Sequence, residues 1–243
     1  MERGFPSSLA TVRFLLGWRW EYAAAATCLF GALLLTAAVE LWHPLPGEAA
    51  LLRRLQGSPL PEQLAHAVRF LTTTELAVAA GLAWSALAWA RGARSTAIAG
   101  GCLFLLLPLL QSGVKELLDR PRPPTSLVEV RASATSPSYP AGHAMSGLVL
   151  WGWLASSAPR VTPAGLLRWA AFGAFALTFA LTPWANLWAG VHWPTDIAGG
   201  FFWGSALLLG ARGIAQSGCE RGRTDRMHTP GEGNESPDDA TGP

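Results

Sequence analysis

The chain has 243 residues, half of them hydrophobic and only 14% charged, with a net charge of +2. Soluble domains carry about 25% charged residues, so this composition argues against a soluble globular domain and for an integral membrane protein. The small net charge and singly scattered Lys and Arg offer nucleic acid no basic face and exclude it as a partner.

Residues 1–21 form an arm that precedes the first long apolar run. Residues 8–20 mix Leu, Phe and Trp with Arg13 and Arg19. Two readings fit: a segment lying in the membrane interface, or an extension of the first helix. The first apolar run lacks a small-residue cleavage pattern and reads as a retained helix.

Six apolar stretches follow within residues 22–215: Tyr22–Leu41, Val68–Ala90, Thr96–Val114, Ala144–Ala158, Leu167–Leu187 and Ile197–Ala215. Most approach the ~20 residues that cross a bilayer core as a helix. None shows the period-2 alternation of a membrane strand. The fold expected is all-α, an integral membrane six-helix bundle. The 12 tryptophans suit the membrane interface. Cys28, Cys102 and Cys219 show no metal or redox spacing. From Gln216 the chain turns polar, and residues 216–243 read as a disordered tail. The excess of Lys and Arg lies on the side of the termini, which puts both termini in the cytoplasm and the polar motifs on the opposite face.

Three motifs carry chemistry. The first runs from Lys115 to Arg122-Pro123. Pro121 and Pro123 restrict the backbone around Arg122, whose forked guanidinium suits phosphate oxygens. Cations also flank membrane helices for no catalytic reason, and that reading stays open here. The second is Pro140-Ala141-Gly142-His143. Gly142 allows close backbone approach at a helix start that favours an anion, and His143 has the pKa to protonate a leaving oxygen. A histidine capping an interfacial helix is the plainer alternative. The third is His192-Trp193-Pro194-Thr195-Asp196. On a helix, His192 and Asp196 share a face. The carboxylate then fixes the imidazole tautomer and leaves its other nitrogen as a nucleophile. Two histidines and an aspartate are also metal-ligand types, but Lys115 and Arg122 would repel a cation. Glu75, in the second apolar stretch, reads as a headgroup contact or as a buried residue paired with a neighbouring helix.

In order and spacing these residues resemble the type 2 phosphatidic acid phosphatase superfamily, membrane lipid phosphatases with soluble vanadium haloperoxidase relatives. The family pattern is Lys-x6-Arg-Pro, then Pro-Ser-Gly-His, then Ser-Arg-x5-His-x3-Asp. Lys115, Arg122 and Pro123 match the first block; Pro140, Gly142 and His143 the second; His192 and Asp196 the third. Ala141 stands for the serine, and Ala185 and Asn186 for Ser-Arg. The resemblance implies a lipid phosphate or diphosphate as substrate and no cofactor or metal. It gives His192 as nucleophile, Asp196 as its orienting group and His143 as acid, with Lys115, Arg122, Gly142 and Asn186 on the phosphate. Arg120 is the residue expected to replace the cation missing at 186. The location it implies is a bacterial inner membrane, with membrane lipids as surroundings. A lipid phosphotransferase and a catalytically impaired lipid-phosphate binder are the alternatives that the departures leave open.

Overall fold

The computed structural model describes residues 8–57, 61–162 and 165–228, with the backbone alone for 8–19 and 219–228. The described residues form eight helices and no strand: α1 (Ser8–Leu41), α2 (Glu48–Gln56), α3 (Glu62–Leu71), α4 (Thr74–Ala90), α5 (Arg94–Leu118), α6 (Gly142–Val161), α7 (Gly165–Trp188) and α8 (Pro194–His228).

By length and composition four helices can cross a membrane: Trp20–Leu41, Arg94–Leu118, Gly165–Trp188 and Pro194–Gly218. A fifth span results if α3 and α4, which meet at a 48° bend, cross as one broken element. α1 is continuous from Ser8, so residues 8–20 extend the first helix rather than forming a separate interfacial segment. α8 likewise continues past Gln216 to His228, where the sequence reading expects disorder. The rest of the expected tail, 229–243, lies outside the described residues.

α6 sits at the centre. It packs against α4, α5, α7 and α8, while α1 lies along the outer side of α8. Its small residues explain the position, since Ala144, Ser146, Gly147, Gly152, Ala155 and Ala158 are all buried and let neighbouring backbones approach. Met145, Val149, Leu150 and Trp153 join Phe104, Leu107 and Trp203 in the main core. The outer faces stay apolar, with Phe30, Leu34, Leu105, Leu109, Leu177 and Ile214 exposed. A soluble protein does not expose so many large apolar side chains in continuous stripes; lipid covers them. The chain is an integral membrane protein of the all-α class.

The connection between α5 and α6 is long and bound at both ends. Ser138 N–H donates to Arg120 O (2.9 Å), and Ala141 N–H to Asp196 O (2.9 Å). The fit requires glycine at the start of α8: a Cβ at Gly199 would collide with the Tyr139 ring, and one at Gly200 with the Ala141 carbonyl. This contact seats the head of α8 against the head of α6. Lys115 at the end of α5, His143 at the start of α6, Asn186 near the end of α7 and Asp196 at the start of α8 therefore share one end of the bundle.

Candidate active site

His192 is 3% exposed and precedes the first turn of α8. Its Nδ1 lies 2.9 Å from the Ser138 carbonyl and 3.4 Å from Asp196 Oδ2. A carbonyl can only accept, so Nδ1 carries the proton and the Nε2 lone pair is free. The closer partner is thus a main-chain carbonyl, which no motif marks. Burial holds His192 below the usual histidine pKa, opposed by its hydrogen bond to Asp196 and that carboxylate's charge. The net effect favours a neutral ring, the form a nucleophile needs.

Asp196 is fully buried. Its Oδ2 accepts from Trp193 N–H at 2.8 Å, and Oδ1 accepts from Arg120 Nη1. The other arm of Arg120, Nη2, donates to Glu48 Oε2 at 2.8 Å. Glu48 also accepts from Leu45 N–H (2.9 Å) and Thr195 N–H (3.0 Å). One guanidinium thus bridges two buried carboxylates, with the Trp193 ring 5.6 Å from its carbon. Arg120 is 2% exposed. The expectation that it binds phosphate in place of the missing cation fails on this geometry: its paired nitrogens are committed to Glu48, Thr195 and Asp196. Arg120 holds Asp196 instead. Glu48 completes the arrangement; no spacing links it to the motifs, so the sequence concealed it.

Lys115 and Arg122 converge on the segment before Ser138. Lys115 Nζ donates to Ser136 Oγ (3.0 Å) and Pro137 O (3.1 Å). Arg122 Nε donates to Ser136 O (2.8 Å) and Nη1 to Val191 O, beside His192. Neither cation has a carboxylate within ion-pair distance among the described residues.

His143 is partly exposed at the first turn of α6, next to Gly142. It lies within electrostatic reach of Arg69, His192, Lys115 and Arg122. His143, His192, Lys115 and Arg122 are therefore close enough to act on one another, as their separate motifs require. Beneath them Gln111 Nε2 donates to Ser146 Oγ at 2.8 Å, and Thr74 Oγ1 donates to Gln111 Oε1 at 2.9 Å, a polar floor under Gly142. Among the described residues no three His, Cys, Asp or Glu side chains group as metal ligands.

Two expected residues differ in position from the reading above. Asn186 is fully buried; its Nδ2 donates to Thr182 O (2.8 Å) and its Oδ1 accepts from Arg69 Nη1 (2.8 Å). One amide N–H is thus taken by the α7 backbone and the oxygen by Arg69, and full burial keeps the carboxamide away from the place expected for phosphate. Glu75 is exposed in the first turn of α4, not buried against a neighbouring helix.

No curated protein matches the chain in sequence. In three dimensions it is similar to the crystal structure of the first transmembrane PAP2 type phosphatidylglycerolphosphate phosphatase from Bacillus subtilis. The TM-score is 0.66 at 20% identity, covering 80% of this chain and 96% of that one. The sequence model of the PAP2 superfamily matches residues 96–216, a span that holds Lys115, Arg122, His143, His192 and Asp196 in one site, and the chain belongs to that superfamily.

Proposed function

We propose that the protein is a membrane phosphatase that hydrolyses a lipid phosphate or diphosphate through a phosphohistidine. The observation that carries this reading is the state of His192: a buried neutral imidazole whose Nδ1 is held by the Ser138 carbonyl, with Asp196 behind it and Lys115 and Arg122 nearby. The phosphate docks against Lys115 and Arg122, which exchange carbonyl and hydroxyl partners for its oxygens, and against Gly142 at the head of α6. His192 Nε2 attacks phosphorus in line, forming the N–P bond as the bond to the leaving oxygen breaks. Ser138 O and Asp196 stabilise the resulting imidazolium. His143, protonated once the dianion is bound, gives its proton to the leaving oxygen. It then takes a proton from water, whose oxygen attacks phosphorus; phosphate departs and His192 is restored.

The reaction takes place at a membrane boundary because the site lies at the ends of the spanning helices, where a headgroup can enter while its chains remain in lipid. The arrangement proposed is a six-span bundle in a bacterial inner membrane, with α3 and α4 as one broken span and α6 as another. Both termini are cytoplasmic and the site faces the other side.

Fixed cations neutralise the phosphate here, so we expect turnover to survive EDTA and to be inhibited by orthovanadate, which adopts the geometry of pentavalent phosphorus. Phosphate release by purified protein from a panel of lipid phosphates, with and without each reagent, checks this. Activity that disappears with EDTA and returns with a divalent ion contradicts the scheme.

A further inference from the structure

Position 186 of α7 carries a neutral asparagine, and an arginine from another helix meets it. Arg69 lies in the last turn of α3, whose Ala65 and Val68 pack against Ala185 of α7. That packing aims the next residue at Asn186, and Arg69 Nη1 donates to Asn186 Oδ1 at 2.8 Å. Asn186 is held in turn by the α7 backbone through Thr182 O. The carboxamide therefore acts as a bracket that fixes one arm of the guanidinium.

The rest of that guanidinium is uncommitted. Arginine has five N–H donors; among the described residues Asn186 is the one hydrogen-bond partner of the Arg69 side chain, and no carboxylate lies within ion-pair distance. None of its nitrogens is buried without a partner, in contrast to Arg120 Nε, so its free donors face accessible space. Arg69 is also the charge that acts most strongly on His143, ahead of Lys115 and Arg122. Three cations without carboxylate partners thus border one histidine at the membrane edge, where unpaired charge is costly unless an anion arrives.

We propose that Arg69 is a phosphate-binding residue of this site, supplying from α3 the guanidinium that position 186 of α7 does not carry. The pairing explains why asparagine stands at 186. An arginine there would face Arg69 at close range, whereas asparagine accepts a hydrogen bond from it. This inference rests on the phosphatase reading above.

The test uses the full chain in detergent, with the lipid phosphate that the wild type cleaves best. Arg69→Gln should lower kcat/KM by ~10²–10³-fold, the usual cost of one charge-stabilising donor, and weaken orthovanadate inhibition. Moving the arginine, in Arg69→Gln with Asn186→Arg, should recover at least about tenfold of that loss. The carboxamide introduced at position 69 can still accept from the moved arginine, so a mere clamp between α3 and α7 recovers stability alone, whereas an anion-binding guanidinium recovers turnover together with orthovanadate inhibition. On wild-type protein, phenylglyoxal should modify Arg69, with orthovanadate protecting it. That measurement decides the matter if Arg69→Gln fails to fold. Arg69→Gln turnover within about threefold of wild type, or Arg69 labelling unaffected by orthovanadate, overturns the inference while leaving the phosphatase reading intact. A folded wild type that releases no phosphate and is indifferent to vanadate defeats the phosphatase reading itself.

Discussion

Replacing His192 with alanine should reduce phosphate release by at least about 10⁴-fold while leaving the protein folded. The scale is that of removing a nucleophile that acts as a unit with its base and orienting groups. His192 is buried, but its ring is held by one strong contact, the Ser138 carbonyl at 2.9 Å, and a longer one to Asp196. Its loss leaves both ion pairs of Arg120, to Glu48 and to Asp196, in place. Stability should therefore change far less than activity. Two measurements check this: single-turnover phosphate release, and alkaline-quench trapping of labelled enzyme from a labelled lipid phosphate. The wild type should yield an acid-labile phosphoenzyme and His192→Ala none. An alanine variant that still forms the phosphoenzyme would place the covalent intermediate on another residue.

The second large effect concerns Arg120. Its side chain is 1% exposed, and it pairs with Glu48 and Asp196, whose side chains are 3% and 0% exposed. Arg120→Ala leaves two carboxylates buried with no counter-charge. Breaking a buried pair by deleting one partner costs about 3–5 kcal/mol. For a chain of this size that corresponds to a fall in unfolding midpoint on the order of 10 °C, measurable in detergent by intrinsic tryptophan fluorescence. Removing all three charges together, in Glu48→Gln, Arg120→Met and Asp196→Asn, should restore much of the midpoint but not the activity, because His192 then lacks its carboxylate. An Arg120→Ala protein with an unchanged midpoint would show that the three-residue bridge does not form.

The contrast between His192 and Arg120 shows why the motifs were readable and their surroundings were not. His192, Asp196, His143, Lys115 and Arg122 sit at fixed short spacings, next to prolines and glycines that set the local backbone. Such signals survive in one dimension. Glu48 is distant from Arg120 in sequence, and Arg69 from Asn186, and neither pair is marked by spacing. Arg120 misled for a related reason: two residues from Arg122, it looks available, yet it turns inward while Arg122 follows the rim of the site. In an irregular segment adjacent side chains can point opposite ways, and only the packed neighbours select the direction.

Composition and apolar run lengths by themselves settled that the chain is an all-helical membrane protein, because a bilayer demands long apolar segments whose backbone bonds close within each helix. Motif spacing likewise settled which histidines and cations merit attention. Tertiary structure alone decided which carbonyl holds His192, that Arg120 pairs with Asp196, and that Arg69 of α3 meets Asn186 of α7. These are contacts between helix ends that meet only after the bundle forms, and the energy of each depends on distance and burial, which sequence order does not encode.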